Sequence, residues 1–188
     1  MLFNLKSSVD IVQVASLLVN SLEGVARQRS IDIKVSQPEA NLPGVQADQD
    51  KVSQVLINLV TNAMKFTNTG SITISFYKNG DSIVTAVTDT GMGIPEKQKE
   101  LLFKKFSKPA SNSIGTISAG SGLGLYISKK YFERLGGQIW LERSETEKGS
   151  TFCFSLPIEG SQKAIEVAEE IKSAQEIKNT HEIAKEAK

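Results

Sequence analysis

A disulfide framework is excluded at once, because Cys153 is the only cysteine among 188 residues. It alternates with Phe152 and Phe154 in Thr151-Phe-Cys-Phe-Ser-Leu as a strand residue does, and no other metal ligand stands near it in sequence, so it reads as structural. An excess of one charge is missing too. With 22 Lys and Arg against 21 Asp and Glu, nothing in the balance argues for nucleic acid or an anionic membrane as a partner. Long hydrophobic runs are absent: Ile11 to Val19 is interrupted by Gln13 and Ser16 and falls well short of the ~20 residues a spanning helix needs. No basic, apolar, small-residue leader opens the chain. These absences predict a soluble piece with no membrane contact of its own. No internal repeat stands out, and the length suits one domain with its own core plus an additional helix.

Val9, Val12, Ala15, Val19 and Leu22 recur at helical spacing, and Ile31-Asp-Ile-Lys-Val then alternates like a strand. Asn41-Leu-Pro-Gly breaks the pattern. Asp48 or Asp50 can cap the next helix, whose apolar residues Val52, Val55, Leu56, Leu59, Val60 and Ala63 follow the i, i+3, i+4, i+7 rule. Gly70 to Tyr77 and Ser82 to Thr88, joined through Asn79-Gly80, predict an antiparallel hairpin. Pro95 suits the first turn of a helix through Phe103. Ser107 to Gly122 is rich in Ser, Gly and Ala without apolar periodicity, which predicts a mobile segment. Leu123 to Leu135 reads as a helix stopped by Gly136-Gly137, before strands at Gln138 to Glu142 and Ser150 to Leu156. Strands in consecutive runs favour an α+β two-layer α/β sandwich over a doubly wound sheet. After Pro157 the composition shifts to Glu, Lys, Ala and Ile, which divides the chain into a domain over 1–157 and a helical tail or connector over 158–188.

Three polar clusters remain. At 100° per residue, Asn58, Asn62 and Lys65 fall within a sector of roughly 60°, about 120° from the apolar stripe of the same helix, so one helix faces core and site together. An amide oxygen is a hard, neutral ligand suited to a magnesium shell completed by phosphate oxygens and water, and a lysine adds a charge for the phosphates; Asn62 is the preferred metal ligand. A solvated polar face is the plain alternative. The second cluster is Asp89-Thr90-Gly91-Met92-Gly93. Its carboxylate can accept from an exocyclic amine, and its glycines let backbone close on a planar ring. Adenine offers such an amine where guanine presents a carbonyl, so the wrong base costs on the order of 1–3 kcal/mol. An ordinary Asp-x-Gly turn is the alternative here. The third, Gly120-Ser121-Gly122-Leu123-Gly124, opens a helix, where free N–H groups and the helix dipole can meet phosphates. No strand of a βαβ unit precedes it and no acidic residue follows suitably, which excludes the dinucleotide fingerprint and leaves a flexible linker as the other reading.

Together these residues resemble a known family. Asp48-Gln-Asp-Lys-Val-Ser-Gln-Val-Leu-Ile-Asn-Leu-Val-Thr-Asn-Ala-Met-Lys-Phe-Thr resembles the asparagine box of sensor histidine kinases. Asp89-Thr-Gly-Met-Gly-Ile-Pro resembles their first glycine box, Leu102-Phe-Lys-Lys-Phe-Ser-Lys the phenylalanine box, and Gly120-Ser-Gly-Leu-Gly-Leu-Tyr-Ile-Ser-Lys the second glycine box. The four motifs stand in family order and cover most of residues 3–157. The resemblance implies the Bergerat fold shared with gyrase-type ATPases, heat-shock chaperones and mismatch-repair proteins: a mixed, mostly antiparallel sheet packed on three helices, with ATP and Mg2+ between the boxes. By motif match Asn62 would bind the metal, with Asn58 and Lys65 near the phosphates. Phe66 would lie against the nucleotide and Asp89 would receive the adenine amine. Gly91, Gly93 and Ile94 would shape the base pocket, and Gly120, Ser121, Gly122, Leu123, Gly124 and Leu125 would hold the phosphates. Phe103 and Phe106 would anchor a lid over residues 107–119, or simply pack in the core.

Two departures bear on activity. Lys108 stands where many members carry an arginine, so it offers charge without a planar bidentate fork. No histidine precedes Asn58, and the single histidine, His181, follows the ATP-binding motifs rather than preceding them, where the family's acceptor stands. The expectation is a catalytic domain that transfers phosphate to a histidine on a dimerisation and phosphoacceptor domain supplied elsewhere, with a response regulator downstream. A cytoplasmic location is expected, whether or not the parent protein is membrane-anchored. The alternatives are an ATPase conformational switch, against which the lack of a glutamate among Val55, Asn58 and Thr61 counts, and a nucleotide-binding scaffold using its tail from Ser161.

Overall fold

Period-two alternation of apolar residues builds the sheet. In the computed structural model, which describes residues 6–38, 40–105 and 123–186, the elements run β1 (Lys6–Val9), α1 (Ile11–Gln28), β2 (Ile31–Val35), β3 (Val45–Ala47), α2 (Gln49–Phe66), β4 (Gly70–Asn79), β5 (Ser82–Asp89), α3 (Glu96–Lys99), α4 (Gly124–Arg134), β6 (Gln138–Glu145), β7 (Gly149–Pro157) and α5 (Gln162–Glu186). Five strands form one sheet in the order β2-β4-β5-β7-β6, with β2 parallel to β4 and every other pair antiparallel. This is the expected α+β sandwich with a mixed, mostly antiparallel sheet. A separate pair, β1 with β3, was not foreseen. Strands of 4 and 3 residues carry too little alternation to be read from sequence.

Ile72, Ile74 and Phe76 of β4, Ile83 and Val87 of β5, and Phe154 and Leu156 of β7 point to the helices and are buried. Onto them α2 sets Val52, Val55, Leu56, Leu59, Val60, Ala63 and Met64. At roughly 1.5–3 kcal/mol for each large side chain fully buried, this stripe fixes the rotation of α2 about its axis far more firmly than its polar residues could. The other sheet face carries a small cluster of Val84, Ala86 and Cys153 with Trp140 packed against it. Burial there pushes the Cys153 thiol up to about 11, so it stays protonated and inert near neutrality, as expected of a structural cysteine.

Helices α1 and α2 both start on an aspartate. Asp10 accepts from Val12 and Gln13 N–H at 3.0 Å each, and Asp48 from Asp50 and Lys51 N–H at 3.1 and 3.2 Å. The Tyr131 hydroxyl of α4 donates to the Asp48 carbonyl at 3.1 Å, tying α4 to the start of α2. The helix expected from Pro95 through Phe103 is shorter: α3 ends at Lys99, and the N–H groups of Leu101, Leu102 and Lys104 bond three residues back. Leu101, Leu102 and Phe103 are consecutive rather than helix-spaced. Phe103 alone among them packs on the core, edge-on to Phe152 at 6.5 Å between ring centres, while Leu101 stays exposed. Beyond β7, Ile158 N–H donates to Asp81 and Glu159 N–H to the Gly44 carbonyl, at 2.8 and 2.9 Å. Ser161 then caps α5 through Ala164 N–H at 3.2 Å, and Ala164, Val167 and Ile171 face the core.

Candidate functional site

Because the apolar stripe of α2 fixes its rotation, Asn58, Asn62 and Lys65 are left half-buried on a second face of that helix. At one end of this face α4 begins: Gly124 lies so close that a Cβ there would collide with the Asn58 side-chain oxygen and lie 3.0 Å from its nitrogen. Asn58 Nδ2 donates to Ser128 Oγ at 3.5 Å, and Ser128 Oγ donates to the Gly124 carbonyl at 2.9 Å. At the other end, Met92 N–H donates to the Phe66 carbonyl at 3.0 Å, and a Cβ on Gly91 would collide with that carbonyl. Asn62 lies one turn from Asn58 and one turn from Phe66, so it stands between the two contacts. Lys65 Nζ sits 5.4 Å from the centre of the Phe66 ring, a cation–π contact that steers the lysine along the same face.

Asp89 is the last residue of β5, opposite Ile72 on β4 and Ser150 on β7, and only 6% exposed. Gly91 N–H and Ser150 N–H both donate to Oδ1, at 2.9 and 3.3 Å. Among the described residues Oδ2 receives no such donor, so it could accept from a ligand. Burial pushes the carboxyl above its ordinary range, and the two N–H donors pull the other way with less effect. The loop after Asp89 is held from both sides. Gly93, at φ +66°, approaches the Glu145 carbonyl too closely for any Cβ, Glu147 N–H donates to the Met92 carbonyl at 2.9 Å, and Ile94 N–H donates to Ser144 Oγ at 2.8 Å. Ser144 and Ser150 share a hydroxyl–hydroxyl bond of 2.9 Å.

Of the third cluster, Leu123, Gly124 and Leu125 are described: Leu123 is the N-cap of α4, and its carbonyl accepts from Ile127 N–H at 2.8 Å. The first N–H groups of α4 therefore open beside Asn58. Phe106, Lys108, Gly120, Ser121, Gly122 and the lid expected over 107–119 lie outside the described residues. Sequence reasoning missed Ser128, Ser144 and Ser150. Ser128 follows Gly124 by one helical turn, which was a usable signal; the other two matter only once the strand register is known. Along α2 the site thus runs from a helix N-terminus, with its positive dipole end, to a buried acceptor, an arrangement that fits a ligand anionic at one end and donor-bearing at the other. Among the described residues no cluster of three His, Cys, Asp or Glu side chains gathers here, so a cation would draw on an amide oxygen and on the ligand's own oxygens.

Known proteins share this arrangement of elements. The family model described as histidine kinase-, DNA gyrase B-, and HSP90-like ATPase matches residues 47–160, from the cap of α2 to the end of β7 and beyond. The adaptive-response sensory kinase SasA of Synechococcus sp. (strain CC9311) is 36% identical over 159 residues, which cover 84% of this chain and 40% of that protein. The nucleotide-free catalytic domain of the histidine kinase ThkA superposes with a TM-score of 0.68 at 30% identity, covering 82% of this chain and 98% of that one. ThkA in complex with the response regulator protein TrrA matches at 28% identity and a TM-score of 0.65, over 82% of this chain and 42% of that one. Full-length ShkA in complex with AMPPNP matches with a TM-score of 0.72 at 26% identity, over 86% of this chain and 32% of that one. The chain spans about two fifths of the length of the SasA relatives it matches, at 40% and 42%. Motif order, sheet topology and these likenesses agree that the chain belongs to the histidine kinase-, DNA gyrase B- and HSP90-like ATPase family, and within it to the catalytic domains of histidine kinases.

Proposed function

We propose that this chain binds Mg-ATP and, as the catalytic domain of a two-component histidine kinase, transfers the γ-phosphoryl group to a histidine on a dimerisation and phosphoacceptor domain. The observation that carries the reading is Asp89: a buried carboxylate whose Oδ1 is taken by two backbone donors and whose other oxygen is left to accept. An adenine amine satisfies that oxygen and a guanine carbonyl does not. Gly91, Gly93 and Ile94 line the base, and the Phe66 ring lies beside the nucleotide. Asn58, Lys65 and the start of α4 at Leu123, Gly124 and Leu125 receive the phosphates, with Gly120, Ser121, Gly122 and Lys108 completing their cradle. The amide oxygen of Asn62, a hard donor midway along the site face, fits Mg2+, which when bound neutralises phosphate charge.

The chemistry asked of the chain's own residues is positioning and charge stabilisation, since phosphoryl transfer needs no covalent help from this domain. Asn58 and Lys65 orient the phosphate chain, Asp89 fixes the base, and the attacking nucleophile is an imidazole of the acceptor domain. A response regulator receiver domain is the onward partner, a reading supported by the complex of ThkA with TrrA. On this reading residues 1–157 form the catalytic domain, 158–188 an appended helical segment, and the chain works in the cytoplasm; no helix among the described residues is long and apolar enough to cross a membrane. Calorimetric titration tests it. ATP should bind in a magnesium-dependent manner, Asp89→Ala should weaken ATP by about 10- to 100-fold through loss of a buried hydrogen-bond partner, and Asn62→Ala should remove the magnesium dependence. A wild-type chain that binds no ATP, or variants that bind it unchanged, would defeat the reading.

A further inference from the structure

Ser144 belongs to none of the motifs, yet three groups converge on its hydroxyl. Ile94 N–H donates to it at 2.8 Å, the Ser150 hydroxyl lies 2.9 Å away, and the Gly149 carbonyl lies 3.3 Å away as an acceptor. A serine hydroxyl has one proton and two lone pairs. The Ile94 contact must use a lone pair, since an N–H can only donate. The proton then goes either to Ser150 Oγ or to Gly149, and in the second case Ser150 donates back and fills the remaining lone pair. In both arrangements the hydroxyl joins the loop after Asp89 to the start of β7. Ser150 N–H closes the circuit by donating to Asp89 Oδ1.

The strand itself is bent to aim this side chain. Ile139 and Leu141 of β6 stand opposite Phe154 and Phe152 and share their sheet face, so plain alternation would turn Ser144 to the other side. The register shifts between Leu141 and Arg143, one extra residue is taken up on β6, and Arg143 comes opposite Thr151 and Ser144 opposite Ser150. That bulge reverses the alternation. Arg143 now reaches Thr151 Oγ1 at 3.1 Å on the outer face, and Ser144 enters the face that holds Asp89 and Ser150. Bulges beside sites re-aim side chains in this way.

We infer that Ser144 is a positioning residue for base recognition: acting through Ile94 and Ser150, it holds the backbone around Gly91 and Gly93 at a fixed distance from the Asp89 carboxylate. The inference rests on the adenine-nucleotide reading above. Without the hydroxyl, Ile94 N–H loses its acceptor and the loop is free to drift from β7. The distance that lets the site tell an amine from a carbonyl then relaxes, while the phosphate end at Asn58 and Gly124 is untouched.

The experiment measures dissociation constants for ATP and GTP by titration with wild type, Ser144→Ala, Ser144→Thr and Arg143→Ala. Ser144→Ala should weaken ATP about tenfold, the effect of one orphaned, part-buried donor, leave GTP nearly unchanged, and so narrow the ATP-to-GTP preference. Ser144→Thr, which keeps the hydroxyl, should restore the preference, and Arg143→Ala, across the bulge, should leave it at the wild-type value. A merely structural serine would lower the melting temperature without moving the ratio. Should Ser144→Ala not fold, Ser144→Cys, similar in size with a weak donor and acceptor, carries the same comparison. A wild type that prefers ATP together with an Ala or Cys variant of unchanged preference overturns the inference alone, whereas a wild type that binds no adenine nucleotide removes the underlying reading and the inference with it.

Discussion

On the proposed reading Asp89 has to stay ionised in a place that resists ionisation. Its carboxyl is raised, chiefly by burial, so the folded chain holds that proton more tightly than the unfolded chain does. Between the ordinary value of 3.8 and the raised folded value, the native state therefore binds more protons. By linkage this group's contribution to stability falls as pH rises through that window. On the proposed reading nucleotide binding has the opposite sign, because the adenine amine would need the carboxylate as acceptor: ATP affinity should fall as pH is lowered through the same window. Asp89→Asn should melt higher than wild type at neutral pH and lose the pH step in its melting curve. A melting temperature for Asp89→Asn at or below that of wild type at neutral pH would mean that the carboxylate is not a strained group. Gly124 offers a second residue-scale contest. Alanine is favoured over glycine in a helix by about 1 kcal/mol, but a Cβ here meets the end of the flexible Asn58 side chain. Asn58 can swing aside at little cost to the fold, at the expense of its orientation. Gly124→Ala is thus expected to keep or raise the melting temperature while weakening ATP, with adenosine binding intact; equal loss of both ligands would contradict the division of the site into base and phosphate ends.

At the scale of elements, what could be read in the sequence was whatever one segment specifies by itself. The stripe of α2 shows in its own spacing, and with it the placing of Asn58, Asn62 and Lys65 on a separate face. The hairpin of β4 and β5 announces itself through alternation and Asn79-Gly80. What escaped depends on partners: β1 and β3 exist by pairing with each other, and the bulge in β6 cannot be seen until β7 sets the register, so Ser144 and Ser150 were invisible as site residues. The tail posed the same difficulty. Its periodicity is imperfect, but Ala164, Val167 and Ile171 keep a contact stripe, and a Cβ on Gly136 at the end of α4 would lie 2.7 Å from Val167 Cγ2. Ala164→Glu would bury an unpaired charge and is expected to cost more than about 3 kcal/mol in urea unfolding, whereas Ile165→Glu on the exposed side should fall within about 0.5 kcal/mol of wild type. If both substitutions prove neutral, residues 162–174 are a connector that merely rests on the body; if Ala164→Glu is costly, α5 is part of the folded unit and the functional boundary lies beyond it.

On the scale of the whole molecule, the proposed site runs along the second half of one face of α2, from Asn58 to Phe66, and this layout would separate recognition from chemistry. The end proposed for the base is held by backbone contacts around the buried Asp89, whereas among the described residues the end proposed for the phosphates is bounded by the start of α4 and by Asn58, whose hydrogen bond to Ser128 is long at 3.5 Å. On the proposed reading the domain would hold ATP for transfer to another domain, and α2 carries no glutamate that could activate water at the γ-phosphate. The Thr61 hydroxyl does not take that part, since it bonds back to the Ile57 carbonyl at 2.7 Å. Holding without hydrolysing is what a kinase half-site needs and what a switch ATPase avoids. At ATP about a hundredfold above its dissociation constant, the chain should gain roughly 2.7 kcal/mol of stability, read as a raised melting temperature that persists for hours because the nucleotide is not consumed. Addition of a phosphoacceptor helix hairpin from a related kinase should then move label from γ-labelled ATP onto that hairpin's histidine, with Asn62→Ala blocking transfer while Asp89→Ala raises the ATP concentration required. Rapid release of phosphate by the isolated chain, with no label transferred when the hairpin is supplied, would instead identify an ATPase switch.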